Sequence, residues 1–135
     1  MTADDWKYII HFTVGEKWGD PEKMDPELIG CLDDLRAFCG NPIEIHCGWE
    51  ERDTGYHPSG KAVDLHIEGI SLFDAFMISQ RFPVFTGIGV YPWWHNPGLH
   101  LDTRPKLKNQ PRSVWGSTGP KKYVGITQQF LYQTF

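Results

Sequence analysis

Two short runs, KAVDLHI from Lys61 to Ile67 and LHLD from Leu99 to Asp102, alternate apolar and polar residues, the first from Val63 onward. That period belongs to a strand, whose successive side chains point to opposite faces. Val63, Leu65 and Ile67 therefore share one face, and Ala62, Asp64 and His66 share the other. Leu99 and Leu101 turn the same way toward a core, which leaves His100 and Asp102 opposite. The chain must build a sheet with one buried face and one face carrying imidazoles and carboxylates. His57 stands just upstream in GYHPSGK. Two histidines and one carboxylate suit a catalytic zinc ion, which takes three protein ligands and leaves a fourth position to water. His57, Asp64 and His100 are the candidate ligands. Spacing alone fits polar residues on a solvated sheet face equally well, because neither HExxH nor CxxC occurs.

The 135 residues suffice for one domain, expected over 1–135, with a core of its own. At 40% hydrophobic and 22% charged residues the composition is that of a globular protein. A net charge of -4 opposes binding driven by nucleic-acid phosphates, so no nucleic acid is expected as a partner. No apolar run reaches the length of a transmembrane helix. The opening MTADDWKYIIHF is acidic where a secretory signal is basic, which reads as no signal peptide and synthesis in the cytoplasm. The cysteines, Cys31, Cys39 and Cys47, are three in number and cannot complete a disulfide framework. Cys31 and Cys39 fall on the apolar side of a helix. Cys47 falls on the strand face of Ile43, Ile45 and Trp49, as a packing residue.

Local signals set the elements in order. Asp25-Pro26 opens a helix that stops at Gly40-Asn41-Pro42, with Leu28, Cys31, Leu32, Leu35, Phe38 and Cys39 at helical spacing. IEIHCGW alternates as a strand, with Glu44, His46 and Gly48 opposite its apolar face. Ser71 and Asp74 form a capping-box-like start to SLFDAFMISQRF, a helix that ends before Pro83. TGIGVY and LHLDT are strands joined by the loop PWWHNPG. Residues 105–122, rich in Pro, Lys, Gly and Ser, read as surface loop, and the tail YVGITQQFLYQTF as a short strand or helix. The class is α+β.

In the order LDDLRAFCGNPIEIHCGW, GYHPSGKAVDLHI, GIGVYP, GLHLDTR, the chain resembles the zinc D-Ala-D-Ala carboxypeptidase and murein endopeptidase family, whose fold and zinc site recur in the hedgehog signalling domain. The resemblance runs from about Asp25 to Arg104. It implies a small, mostly antiparallel sheet with helices packed on one side and a Zn2+ site on the other. It also implies His57, Asp64 and His100 as ligands and peptidoglycan stem peptides or cross-links as substrate.

Two departures bear on mechanism. Many relatives carry Arg directly after Ser-Gly-Tyr, where it steadies the substrate; here Glu50 follows Cys47-Gly48-Trp49, and Arg52 is the candidate substitute. Several branches place a carboxylate general base three residues before the last histidine, where this chain has Pro97. Asp102 is then either the base or the group that orients a ligand, and His95 is a candidate proton shuttle or a plain loop histidine. Trp93 and Trp94 are candidates to line a substrate cleft, with loop-anchoring packing as the alternative. His66 and His46 are read as strand histidines, His66 with an added contact to the site open to it. The expectation is a monomeric peptidase, fitting a phage or prophage lytic enzyme released by a pore or carried on a virion. The rival is a zinc-bearing protein that binds wall peptide or a protein partner without cutting.

Overall fold

The computed structural model describes residues 1–134. After a short helix α1 (Ala3–Trp6), the chain forms α2 (Pro26–Cys39), β1 (Ile43–Cys47), β2 (Ala62–Ile67), α3 (Leu72–Ser79), β3 (Gly87–Tyr91), β4 (Gly98–Asp102), β5 (Ser113–Gly119), β6 (Lys122–Val124) and α4 (Gln128–Thr134). Helix α2 starts and stops where its sequence dictates. The Asp25 side chain accepts from the Leu28 N–H, Pro26 takes the first turn, and Gly40 closes the helix in the left-handed conformation. Leu28, Ile29, Leu32 and Leu35 bury one face of α2 in the same core as Ile45, Val63, Leu65, Ile88, Val90, Leu99 and Leu101. Apolar burial on that face, at about 25 cal/mol per Å2, holds the layers together and leaves the other sheet face free for chemistry.

The six strands form one sheet in the order β1-β2-β4-β3-β5-β6, antiparallel except for the parallel pair β3 and β5. Register lines up Cys47, Asp64, His100, Gly89 and Trp115 as one row across five strands. The α+β class and the mostly antiparallel sheet are as the sequence implies.

Two details differ from the sequence reading. Residues 105–122 are not all loop, because β5 and the start of β6 lie within them. SVWGSTG is half-buried over its first three residues, mostly buried after them, and holds two glycines, so no alternation marks it. Cys47 does not follow Ile43 and Ile45 into the core: the register of β1 against β2 shifts between Ile45 and Cys47, and this bulge sets Cys47 beside Asp64. As the sequence suggests, helix α3 ends before Pro83, at Ser79, and the tail holds short elements, the end of β6 and α4. Among the described residues no helix is long and apolar enough to cross a membrane.

Candidate metal centre

His57 enters on a short 3-10 turn, His57–Ser59, just ahead of β2. Its ring is 3% exposed. Nδ1 donates to the Gly48 carbonyl at 2.7 Å, which leaves the lone pair on Nε2. That Nε2 is buried without a hydrogen-bond partner and sits 3.5 Å from Asp64 Oδ1. From the next strand, His100 brings Nδ1 to 3.1 Å from the same oxygen, while its Nε2 lies 2.7 Å from Asp102 Oδ2. With Nε2–H donating to Asp102, a neutral His100 also turns a lone pair toward Asp64. Lone pairs facing a carboxylate repel unless a positive charge lies between them.

Two consequences show which charge suits the site. Burial lowers the pKa of both histidines, yet the Asp64 carboxylate and Cys47 beside His57, and Asp102 and Asp64 beside His100, outweigh it. His57 is raised to about 9, and His100 is raised as well. Burial raises Asp64, but His100 and His57 hold it well below the usual carboxylate range. The three groups thus stabilise positive charge among them. Ligands about 2.0–2.2 Å from a tetrahedral zinc lie about 3.3 Å from one another, close to the 3.5 and 3.1 Å that separate His57 Nε2 and His100 Nδ1 from Asp64 Oδ1. On these observations His57, Asp64 and His100 fit the ion.

Cys47 was not anticipated at this site. Donor atoms of Cys47, His57 and Asp64 all lie within 4.8 Å of one another, and Cys47 Sγ is 3.8 Å from His57 Nδ1. Since that nitrogen already donates to Gly48, the thiol stands beside the ligand set on the side away from His100's strand.

Asp102 is fully buried. Arg104 donates to it through the backbone N–H at 3.0 Å, Nε at 2.9 Å and Nη2 at 2.6 Å. Burial raises its pKa, but His100 and Arg104 hold the carboxyl well below the usual range, so it stays ionised. The Arg104 guanidinium lies between the rings of Tyr56 and Trp115, 4.8 and 4.9 Å from their centroids. Trp115 also packs 5.3 Å from the His100 ring and donates Nε1–H to the Tyr91 hydroxyl at 3.0 Å.

Glycines in β3 make room for this arrangement. A Cβ at Gly89 would fall 2.6 Å from the Trp115 ring, and one at Gly87 would overlap the Asp102 carboxylate. The GIGVY motif therefore clears the sheet face for the two residues that flank His100.

A cleft of about 400 Å3 opens at His57 and His100, walled by Arg52, Tyr56, Tyr91, Arg104, Trp115 and Tyr123 among others. Of the sequence-predicted substrate contacts, Arg52 lines it, its side chain paired with Glu50. Trp93 and Trp94 do not line it. Trp93 donates to Ser117 Oγ at 2.8 Å, and Trp94 stacks on Tyr91 at 4.3 Å. His95 is exposed in the loop before β4 and is not among the lining residues. Arg104 and Trp115 had no local signal that named them, since their importance comes from β4 and β5 meeting across β3.

No family model matches the chain, and no solved structure matches it at a significant level. Curated proteins do match. The chain is similar to peptidoglycan L,D-endopeptidase MepK. The MepK proteins of Escherichia coli strain K12 and of Shigella flexneri are each 29% identical to it over 113 residues, which cover 70% of this chain and 59% of theirs. The chain thus spans less than two thirds of MepK's length. Beside this likeness, Cys47, His57 and Asp64 form one group of side chains whose donor atoms lie close enough together to hold a metal ion.

Proposed function

We propose that this chain is a zinc-dependent peptidase that hydrolyses peptide bonds in peptidoglycan stem peptides or cross-links. The observation that carries the reading is the orphaned, buried His57 Nε2 aimed at an Asp64 oxygen that His100 approaches from the next strand. Similarity to MepK supports the substrate class.

When bound, zinc supplies a Lewis acid that polarises a peptide carbonyl and acidifies water. The protein does the rest with fixed groups. Gly48 O and Asp102 each take one imidazole N–H and so present His57 Nε2 and His100 Nδ1 as donors. Trp115 covers one flank of His100 and holds it against rotation. Arg52 and Arg104 line the cleft beside the metal residues, where guanidinium N–H groups not taken by Glu50 and Asp102 suit carboxylates of a peptide substrate. Asp102 acts through His100, as a positioning residue.

One feature favours a second reading. The described residues that line the cleft include no carboxylate to serve as general base, which suits a protein that binds wall peptide without cutting it. A single experiment separates the two: zinc-loaded protein is incubated with purified muropeptides and the products are weighed by mass spectrometry. New masses that match hydrolysis of a stem-peptide or cross-link bond, absent after chelation, support the peptidase. Retention of muropeptide with unchanged masses supports the binding module, and neither result leaves room for both.

A further inference from the structure

A second cluster of metal-type donors lies on the same sheet face, one step toward the edge strand. Glu44 and His66 are register partners across β1 and β2, and His46 occupies the bulge that also delivers Cys47 to the first centre. His46 Nε2 is 2.5 Å from His66 Nδ1, and His66 Nε2 is 3.5 Å from Glu44 Oε2. One donor atom from each of Glu44, His46 and His66 lies within 4.8 Å of the others. His46 and His66 are partly buried, while Glu44 is exposed, so the cluster is open to solvent on one side.

His66 faces His46 through Nδ1 and Glu44 through Nε2, so a shared ion takes one of those two nitrogens, and one donor atom from each residue lies close enough to the others for that. The two imidazoles, sharing one hydrogen between facing nitrogens, need to open by less than about 1 Å to act as separate ligands. Two imidazoles and a carboxylate suit late first-row divalent cations, zinc among them.

We propose that Glu44, His46 and His66 form a second divalent transition-metal site, separate from the centre at His57, Asp64 and His100. Asp64 and His66 are two residues apart along β2, about 7 Å, whereas paired catalytic ions stand about 3.5–4 Å apart. The second ion therefore does not complete a two-metal catalytic unit. Its ligands come from the edge strand β1 and from its neighbour β2, so it clamps the edge strand at the bulge. That bulge sets the position of Cys47 and, through the next residue, of the Gly48 carbonyl that orients His57.

The test is zinc stoichiometry by equilibrium dialysis and metal analysis, on the whole chain, with circular dichroism to verify folding. Wild type should bind two equivalents. His46→Ala should bind one, His57→Ala one, and the double variant none. Because His46 sits in the bulge and its loss can unfold the edge, Glu44→Gln serves as the second variant, with an exposed side chain whose change leaves the core untouched. It should weaken one of the two equivalents by about tenfold or more. A single equivalent in wild type that His46→Ala retains overturns the proposal, as do two full equivalents in folded His46→Ala or unchanged affinities in Glu44→Gln. Two equivalents that survive His57→Ala but fall to one in His46→Ala would overturn the assignment of the first centre and leave this one standing.

Discussion

Asp102 Oδ2 lies 2.7 Å from His100 Nε2, and the nitrogen on the other side of the same ring lies 3.1 Å from Asp64. A buried carboxylate thus backs the imidazole that faces the proposed metal, the arrangement that fixes a ligand's tautomer and raises its basicity. Asp102→Asn should keep the fold but weaken zinc affinity by about ten- to a hundredfold, and excess zinc should restore activity. Competition with a chromogenic chelator gives the affinity. Normal affinity with a loss of about a hundredfold or more in rate would instead make Asp102 the general base.

Gly89→Ala should displace Trp115 from His100, since the new methyl carbon would meet the indole 2.6 Å away and the backbone of a central strand cannot retreat. Overpacking of this kind costs about 1–3 kcal/mol. Urea unfolding should show that loss, and an unchanged midpoint would mean that Trp115 is not held where the structure puts it.

Removing the metal should lower the melting temperature, because an ion bound by residues from a turn and two strands stabilises only the folded chain. Scanning calorimetry before and after verified chelation measures the effect. No change in melting temperature would confine the ion to chemistry alone.

Burial, with Asp34 and Glu27 nearby, pushes the Cys31 thiol up to about 12 from an ordinary 9. The folded state therefore keeps its proton where the unfolded chain loses it. Stability from this source is intact below pH about 9 and falls as pH rises toward 12, by up to about 1.4 kcal/mol per pH unit. Urea midpoints of wild type should fall more between pH 8 and pH 10 than those of Cys31→Ala. Equal falls would show that other groups carry the alkaline loss.

How far the sequence was readable depended on whether a residue's role was local. Strict alternation placed Asp64 and His100 on one face because β2 and β4 are antiparallel neighbours with regular pleat. The caps of α2 and α3 lay at Asp25 and Ser71, as their side chains signalled. Cys47 was misplaced because a bulge inserts one residue and reverses the faces beyond it, and nothing in IEIHC marks that insertion. Strand β5 carries no alternation in SVWGSTG, and its pairing with β3 is parallel, made by the fold and not by a neighbouring turn. Arg104 and Trp115 became visible only with that pairing. Trp93 and Trp94, bracketed by the β3 strand and His100 in sequence, instead contact Ser117 and Tyr91.

The account rests on one ion held by His57, Asp64 and His100. Anomalous diffraction at the zinc edge from crystals of the zinc-loaded protein tests it most directly. The expected result is a peak about 2.0–2.2 Å from His57 Nε2, an Asp64 oxygen and His100 Nδ1. A peak that instead joins Cys47 to His57 and Asp64, with His100 out of reach, or no peak near these residues, would contradict it.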